Sequence, residues 1–451
     1  MASRMREAVA PIYLLMCLLL GGSAQGIWTN ALLQLTGIAI IAWAGASKSA
    51  EVPPRPLRQL FWIGLAGLAI VALQLVPLPA SLWPELGGRA DLAANYAILG
   101  RAVPALPLSV APYRTLATLL TVIPALALLC AVARLRAYRA SWLALALLAG
   151  TFAGILLGAL QVVDAGPEAS WYLYRQASFG LAAGFFANAN HMATLLVISL
   201  PFLAALLVSA RGGPVQRYSA VAALVAGAAL VILVGLALNR SLAGYGLAVP
   251  VIAGSLAILV PAGSLARRWA MTGAVALVVA ATIALILSPV GDRSLGSASS
   301  VGSRAEILRT TTEATADFLP FGSGLGTFRP VYQLYEDHDR VTNVTMPHAH
   351  NDYAELVLEL GIPGAILIAV FLLWWAVTAA GAWRMGDASH YARAATVASA
   401  AILVHSLVDY PLRTAAIAAC FAMCLALLAE RRPRRDGDKS ELWPTRHVVL
   451  R

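Results

Sequence analysis

Long apolar runs alternate with short polar turns along most of this chain. Twelve of the runs approach the roughly 20 residues that an α-helix needs to cross a bilayer. The pattern therefore predicts an all-α, polytopic integral membrane protein with about 12 transmembrane helices and a large extracytoplasmic loop that contains short helices. The runs occupy residues 9–25, 28–46, 59–77, 113–133, 141–163, 189–209, 218–238, 242–262, 269–288, 355–380, 394–410 and 413–429.

Composition agrees with this pattern and excludes a soluble protein. The 451 residues are 60% hydrophobic and only 12% charged, whereas a soluble domain carries about a quarter charged residues. A net charge of +10 would suggest nucleic-acid binding in a soluble protein. In a membrane protein the excess of arginine in cytoplasmic turns explains it, so we expect the lipid bilayer and no nucleic acid as a partner.

The basic residues also predict the orientation of the chain. They concentrate in alternate turns and in the C-terminal tail, as in Arg134–Arg139 and Arg431–Arg435. The positive-inside rule then places both termini in the cytoplasm. The first apolar run also resembles a signal peptide ending near Ser23. Because so many spans follow, an uncleaved first helix is the preferred interpretation.

Four regions follow from these boundaries. We expect an N-terminal membrane bundle of about nine helices at 1–288, an extracytoplasmic (periplasmic) catalytic loop at 289–354, about three C-terminal membrane helices at 355–430 and a basic cytoplasmic tail at 431–451. A loop as long and polar as the second region is usually functional. Within it, 303–318 is predicted to be a helix and 322–326 a glycine-rich turn, which lacks the Lys-Ser/Thr pair of a nucleotide-binding loop.

Two other outer segments are long. Residues 78–112 are rich in proline and predict an ordered connector. Residues 164–188 carry Trp171, Tyr172 and Tyr174 beside Arg175. These aromatic residues either anchor the chain at the membrane interface or form a surface on which a sugar stacks.

The stretch 347–364 concentrates the ionisable residues of the chain at the start of an apolar run. Asp352 and Glu355 have the spacing of a capping box, which would leave His348 and His350 on the preceding loop. Glu355 and Glu359 then lie one turn apart on one helix face. Ionisable groups at a membrane helix usually mark function, although capping alone could explain Asp352.

A metal site is the weaker interpretation of the same stretch. His348, His350 and Asp352 alternate as in half of a hydrolase metal motif, but Tyr353 follows where that motif needs another histidine. The four cysteines all lie in apolar runs and predict neither a disulfide framework nor a zinc site. We therefore expect no metal and no cofactor.

Two arginines are candidates for binding an anion. Arg240 interrupts two apolar spans, and it either extends into the lipid headgroups or binds a lipid-linked pyrophosphate. Arg304 opens the predicted helix of the large loop, where backbone N–H groups and the helix dipole also favour an anion. Its alternative is an ordinary solvated helix charge.

His350-Asn351, nine further residues and then Gly361-x-x-Gly364 resemble the signature of the O-antigen ligase and O-antigen polymerase superfamily of membrane glycosyltransferases. Asn239-Arg240-Ser241 lies where that family usually has Ser-Arg, so the arginine matches and the preceding serine does not. Phe186-Ala187-Asn188-Ala189-Asn190 and Ser303-Arg304 with the glycines after Pro320 are also similar to family elements. The resemblance covers roughly 180–410.

The resemblance implies a metal-independent, inverting glycosyl transfer on the outer face of the bacterial inner membrane. The donor would be a glycan on undecaprenyl pyrophosphate, and the acceptor a hydroxyl of a saccharide or of a lipid A core. Carried over to this chain, Arg240 and Arg304 would bind the pyrophosphate and His350 would deprotonate the acceptor. We assign substrate binding to Arg240, Arg304, His348, Asn351, Asp352, Glu355, Asn190, His405 and Asp409. His405 and Asp409, four residues apart on one predicted helix face with Arg413 a turn beyond, could equally form a structural network.

The choice between the two histidines depends on how firmly each is held. His350 adjoins the start of the helix, so we expect the cap to fix its backbone, as proton transfer requires. His348 follows Pro347 and is expected to have less to hold it. His350 is therefore the predicted base.

Other functions remain open at this level. Within the enzyme class, polymerase, ligase and protein O-oligosaccharyltransferase share the motif, with polymerisation of O-antigen or exopolysaccharide slightly preferred. A transporter or flippase of lipid-linked glycans is the alternative from another class. A transporter should show repeats and charged residues at the membrane midplane, and neither is seen. Sugar identity and oligomeric state do not follow from the sequence.

Overall fold

The computed structural model describes residues 2–23, 28–47, 52–164, 171–261, 300–337, 346–384 and 390–430, with a few positions between 264 and 280. These residues form helices joined by turns, with one short β-ribbon. The helices are α1 Ala2–Glu7, α2 Val9–Leu20, α3 Trp28–Ala46, α4 Arg55–Gln74, α5 Ala90–Ile98, α6 Pro112–Leu120, α7 Ile123–Ala133, α8 Ala140–Val163, α9 Ala189–Ala210, α10 Val215–Asn239, α11 Leu242–Leu259, α12 Ser300–Phe318, α13 Phe328–Tyr335, α14 Asp352–Arg384, α15 His390–His405 and α16 Ala415–Ala429.

Eight helical segments of the described chain are long and apolar enough to cross a membrane: α3, α4, α6 with α7, α8, α9, α10, α11 and α14. The chain is an all-α, polytopic membrane protein. The predicted count of twelve is not confirmed, because α2, α15 and α16 have 12, 16 and 15 residues and are shorter than a full span. The predicted span at 269–288 lies largely outside the described residues, and the tail 431–451 lies wholly outside them.

Helix α9 lies at the centre of the bundle. In its apolar window 78% of the residues are buried, against 17% in α4 and in α10. It packs against α8, α10, α11 and α15, so apolar side chains can face inward all round it. Its first turn is polar, with Asn190, His191 and Thr194, and this end of the central helix faces the candidate site.

Helix α14 is interrupted at Gly361, whose φ of 65° and ψ of −151° are not helical. Pro363 has no N–H group, so the carbonyl of Glu359 loses its partner within the helix. The amide N–H of Gly324 (2.9 Å) and the Nε2 of Gln74 (2.8 Å) donate to that carbonyl instead. A Cβ atom at Gly361 would lie 2.2 Å from the carbonyl oxygen of Pro320. Two glycine elements of the sequence therefore meet at this break.

The connector at 78–112 is ordered, as predicted. It contains the pairing of β1 (Pro77–Leu78) with β2 (Leu106–Pro107) and helix α5. Arg89 in this connector is fully buried, and its Nη2 donates 2.8 Å to the carbonyl of Gly322. Burial lowers the pKa of Arg89 to about 10. Arg89 therefore links the connector to the glycine-rich turn at 322–326, a role that the sequence pattern did not indicate.

The tyrosines of the outer segment 164–188 stabilise turns within that segment. The hydroxyl of Tyr172 accepts from the amide of Gly180 at 2.7 Å and donates to the carbonyl of Leu181 at 3.1 Å. The hydroxyl of Tyr174 donates to the carbonyl of Phe185 at 3.2 Å. These contacts engage the hydroxyl groups and not the ring faces, so the sugar-stacking and anchoring interpretations both stay predictions.

A small apolar core holds the outer loop together. It joins side chains of α12 and α13 to Leu358 of α14 and to Ala349, which lies between the two histidines. Ala349 is 2% exposed. Its amide also donates to the Oε2 of Glu355 at 2.9 Å. The His-Ala-His loop is therefore anchored at its middle residue.

Candidate active site

Asn351 caps α14, in place of the predicted Asp352. Its Oδ1 accepts from the amides of Tyr353 and Ala354, each at 3.0 Å, and its Nδ2 donates to the carbonyl of Leu407. The predicted capping box is wrong, because Asp352 is already the first helical residue and its side chain turns into the protein. All three of these hydrogen bonds of the Asn351 side chain are made to protein backbone groups.

Asp352 joins a buried cluster of carboxylates around Arg413. Its Oδ2 accepts from the hydroxyl of Ser406 at 2.9 Å, and its Oδ1 lies 3.5 Å from the Nε of Arg413. The Nη2 of the same arginine lies 3.2 Å from Glu355 and 3.4 Å from Glu359. We call Asp352, Glu355, Glu359 and Arg413 the Arg413 cluster. The predicted shared face of Glu355 and Glu359 is confirmed.

Burial by itself would lower the pKa of Arg413, but the three carboxylates raise it above its usual range. The arginine is therefore a permanent counter-charge for the carboxylates of α14. A fourth contact closes the cluster, because the Oε1 of Glu359 accepts from the amide of Phe328 at 3.3 Å.

The two histidines face different carboxylates. His348 Nδ1 lies 2.9 Å from the Oε1 of Glu355, whereas His350 Nδ1 lies 3.5 Å from the Oδ1 of Asp409. His350 has a left-handed backbone with φ of 53°, which turns it away from His348. The expectation that His348 is less firmly held is wrong, since its hydrogen bond to Glu355 is the shorter contact.

Asp409 lies close to polar groups from three parts of the chain. The Nδ2 of Asn190 donates to its Oδ2 at 2.6 Å, and the Nη2 of Arg304 lies 3.9 Å from the same oxygen. Besides His350, the Nε2 of His191 lies 3.7 Å from its Oδ1. We call Asp409, Asn190, His191, Arg304 and His350 the Asp409 centre. The predicted base and one predicted anion-binding arginine thus meet on one carboxylate.

Burial by itself would raise the pKa of the Asp409 carboxyl, but the neighbouring rings of His191 and His350 hold it well below its usual range. Asp409 is therefore ionised at neutral pH. A carboxylate beside Nδ1 of His350 favours the tautomer with the proton on Nδ1 and the lone pair on Nε2. That leaves Nε2 as the atom able to accept a proton from a substrate.

The predicted network of His405, Asp409 and Arg413 forms only in part. The amide of Asp409 donates to the carbonyl of His405 at 3.0 Å, and the charge of Asp409 acts on the His405 ring. The Nδ1 of His405 also lies 2.6 Å from the hydroxyl of Thr194. Arg413 is not part of this group, because it turns to the carboxylates of α14, as described above. Helix α15 ends at His405, so the helix period does not extend to Arg413.

Tyr410 lies between the two groups of side chains. Its ring centroid is 4.4 Å from that of His348, 5.0 Å from His350 and 5.1 Å from His191. The sequence analysis missed this residue, because a lone tyrosine after a predicted span is ordinarily an interface anchor. The adjacent Asp409 was the only indication of its position.

Arg240 lies in the tight turn between α10 and α11 with a left-handed backbone, φ 58°. Its side chain is exposed while both its neighbours are buried. The Nδ2 of Asn239 donates to the carbonyls of Ala182 and Ala189, and the hydroxyl of Ser241 donates to the Oδ1 of Asn190. The turn is thus attached to the first residues of α9 and so to the Asp409 centre.

Arg304 lies one turn inside α12, because the helix begins at Ser300 and not at Ser303. The argument that the helix N-terminus assists it therefore loses its basis, since that effect falls off within the first turn. Its side chain is 31% exposed. One side of the guanidinium faces Asp409 and the rest remains accessible to a ligand.

Comparison with known families tests the resemblance found in the sequence. A family model described as O-antigen ligase matches residues 227–369. The match confirms the resemblance to the O-antigen ligase and O-antigen polymerase superfamily over these residues. No curated protein matches the chain. The matched segment contains Arg240, Arg304 and His350 and supports a membrane glycosyltransferase-like role in O-antigen pathways, with lipid-linked glycan and acceptor as the general substrates.

The matched segment does not contain the whole site. Asn190 and His191 precede it, while Asp409, Tyr410 and Arg413 follow it. Folding brings these flanking residues to the O-antigen ligase segment. The carboxylates that hold His348 and His350 therefore come from different parts of the chain: Glu355 from within the match and Asp409 from beyond it.

Proposed function

We propose that this protein transfers a glycan from undecaprenyl pyrophosphate to a hydroxyl of a saccharide or of a lipid A core. The reaction takes place on the outer face of the bacterial inner membrane, with inversion and without a metal ion, in O-antigen or exopolysaccharide biosynthesis. The observation that carries the proposal is the convergence of His350 and Arg304 on Asp409, inside and beside the O-antigen ligase segment.

The base in this proposal is the Nε2 of His350. The acceptor oxygen forms a bond to the anomeric carbon while its proton passes to Nε2, and the ionised Asp409 stabilises the resulting imidazolium. The bond from the anomeric carbon to the pyrophosphate oxygen breaks in the same step. A single displacement of this kind inverts the anomeric centre. The His350–Asp409 distance of 3.5 Å shortens when the ring becomes charged.

The leaving group in this proposal is undecaprenyl pyrophosphate, and its charge is bound by the two arginines. A guanidinium presents two parallel N–H donors that match the oxygens of a phosphate. Arg240 is exposed and Arg304 is partly exposed, so both have donors to offer. Two such groups supply the electrostatic stabilisation that a divalent ion supplies in other glycosyltransferases.

The acceptor is not identified by these residues. His348, Glu355 and Asn351 were assigned to substrate binding, yet each is engaged within the protein. We propose that these three residues determine the shape of the acceptor-binding side of the site, through Tyr410 and the His-Ala-His loop. Exposed parts of the outer segments would then bind and select the acceptor. Polymerase activity remains slightly preferred over ligase activity.

The test is transfer by the purified protein in lipid nanodiscs, with undecaprenyl-pyrophosphate glycan and either free saccharide or lipid A core as acceptor. We expect the wild-type protein to transfer the glycan to one of the two acceptors. Arg240→Ala and Arg304→Ala should each lose this transfer while remaining folded. Lysine at either position should restore activity only in part, because it lacks the bidentate fork. Full activity in both alanine variants would contradict the proposed role of the arginines.

The orientation has its own test. The native cysteines at 17, 130, 420 and 424 are all buried, so an added cysteine can be labelled selectively. Thr312→Cys, at an exposed position of α12, should react with a membrane-impermeant maleimide from the outer face. Reaction from the cytoplasmic face alone would contradict the predicted topology and remove the enzyme from its substrate.

A further inference from the structure

The side chain of Asn190 is shared between two parts of the site. Its Nδ2 donates to Asp409 at 2.6 Å, and its Oδ1 accepts from the hydroxyl of Ser241 at 2.9 Å. Its backbone amide donates to the Oδ1 of Asn188, which caps α9. The sequence alone assigned Asn190 to substrate binding. Both ends of its amide are instead occupied by protein groups.

One end of this amide controls the turn that carries Arg240. Ser241 caps α11 by accepting from the amide of Gly244 at 3.0 Å, and its own hydroxyl proton goes to Asn190. Asn239, on the other side of Arg240, is anchored on the carbonyl of Ala189. Both neighbours of the arginine are thus attached to the first two residues of α9. The left-handed backbone of Arg240 is held between these two attachments.

The other end of the amide controls the orientation of Asp409. Asn190 and Arg304 face the same carboxylate oxygen, at 2.6 and 3.9 Å, while His350 faces the other oxygen at 3.5 Å. The amide of Tyr410 also donates to that other oxygen at 2.9 Å, so two short bonds, one to each oxygen, set how the carboxylate plane is turned. Without the bond from Asn190, only the Tyr410 amide would oppose the pull of Arg304 on the carboxylate.

We propose that Asn190 is a positioning residue that sets the pyrophosphate-binding Arg240 and the Asp409–His350 pair from opposite ends of one amide. This inference rests on the proposed function for the roles of Arg240 and His350. The inference predicts an energetic coupling. The effect on transfer of substituting Ser241, and the effect of substituting Asp409, should each depend on whether Asn190 is present. A sugar-binding asparagine would show neither coupling.

Double-mutant cycles in the transfer assay test the coupling. Asn190→Ala should lower kcat/KM by roughly tenfold to a hundredfold, the usual effect of losing a hydrogen bond to a charged group. The loss should be non-additive with Asp409→Asn and, separately, with Ser241→Ala. Asn95→Ala, at an exposed position of α5, is the matched control and should leave transfer unchanged. Additive losses in both cycles would overturn the inference.

A second measurement does not depend on glycan transfer. Diethyl pyrocarbonate modifies neutral imidazole, so the pH dependence of His350 modification, read by peptide mass spectrometry, reports its protonation. Asn190→Ala removes the bond to Asp409 without adding a charge. The charged or titratable groups that face Asp409 are His191 of α9, Arg304 of α12, His350, Tyr410 and, at the end of α15, His405.

Without that bond Asp409 is held less closely to His350 and stabilises its imidazolium less, so the midpoint of modification should move to lower pH. Asn95→Ala should not move it. An unchanged midpoint in a folded Asn190→Ala variant would overturn the inference whatever the transfer assay shows. A shifted midpoint together with a wild-type protein that transfers no glycan would contradict the proposed function and leave the coupling standing.

Discussion

The Asp409 centre and the Arg413 cluster are two histidine–carboxylate sites on either side of Tyr410, and they differ in how completely they are satisfied. In the Arg413 cluster, His348 is hydrogen-bonded to Glu355 at 2.9 Å, and Arg413 lies 3.2 to 3.5 Å from the three carboxylates. In the Asp409 centre, Asn190 and the amide of Tyr410 hold the carboxylate at 2.6 and 2.9 Å, but the histidine and arginine contacts are 3.5 to 3.9 Å long. Both ring nitrogens of His191 and the Nδ1 of His350 are buried without a hydrogen-bond partner, against one such atom, the Oδ1 of Asp352, in the Arg413 cluster.

This difference separates a structural site from a chemical one. A buried charge cluster with every group paired resists change, because removing any member leaves a charge uncompensated. Loosely paired groups can exchange a contact with the protein for a contact with a substrate, and catalytic hydrogen bonds are often long before substrate binds. The looser site is therefore the one that we expect to carry the reaction.

The largest effect should distinguish the two histidines. His350→Ala should lower turnover by about 10²–10⁴-fold, the usual range for a general base, with donor binding largely kept by the arginines. His348→Ala is the matched variant and should cost much less turnover, while lowering the temperature of unfolding because Glu355 loses one of its three partners. Equal loss of turnover in the two variants would contradict the assignment.

Arg413 and Arg304 both face buried carboxylates, but their substitutions should have different effects: the first on stability and the second on transfer. Arg413→Met leaves three buried carboxylates without their cation, and we expect it to destabilise the protein by about 3–5 kcal/mol. Arg304→Met removes a partly exposed group and should change the free energy of unfolding by less than about 0.5 kcal/mol while abolishing transfer. Thermal unfolding in detergent measures the first effect and the transfer assay the second. A destabilised Arg304→Met with normal turnover would reverse the comparison.

A smaller effect is expected from the charge of Asp409. Asp409→Asn keeps the shape but removes the negative charge, so the His350 imidazolium is less stable. The acid limb of the pH–rate profile should therefore move to lower pH, and turnover at the optimum should fall by roughly tenfold to a hundredfold. Glu355→Gln, the matched change in the Arg413 cluster, should leave that limb in place. A shift in Glu355→Gln but not in Asp409→Asn would exchange the roles of the two sites.

The smallest effect is expected from chelation. Treatment of the wild-type protein with EDTA should leave the rate of transfer unchanged, because in the proposed mechanism the arginines, and not a metal ion, bind the pyrophosphate. His348, His350 and Asp352 face three different partners, Glu355, Asp409 and Ser406. Loss of activity with EDTA and its recovery with a divalent ion would require these residues to turn together as ligands, and the proposed acid–base mechanism would be wrong.

The sequence by itself determined the class of the protein and the identity of its polar loop. Long apolar runs require helices in a bilayer, because every backbone N–H must be satisfied within its own segment. The spacing of His350, Asn351, Gly361 and Gly364 depends on local backbone geometry: a left-handed residue, a cap and a helix break. Local backbone geometry is determined by neighbouring residues, so these elements could be recognised without a structure.

Only the tertiary structure decided which carboxylate serves which histidine. Asp409 and Arg413 are four residues apart, yet one faces α9 and α12 while the other faces α14. The end of α15 at His405 removes the helical period on which the predicted placement of Arg413 beside Asp409 relied. Asn190 likewise matched a family element, but its partners lie 51 and 219 residues away. Contacts at such separations depend on how the helices pack, and no local pattern encodes them.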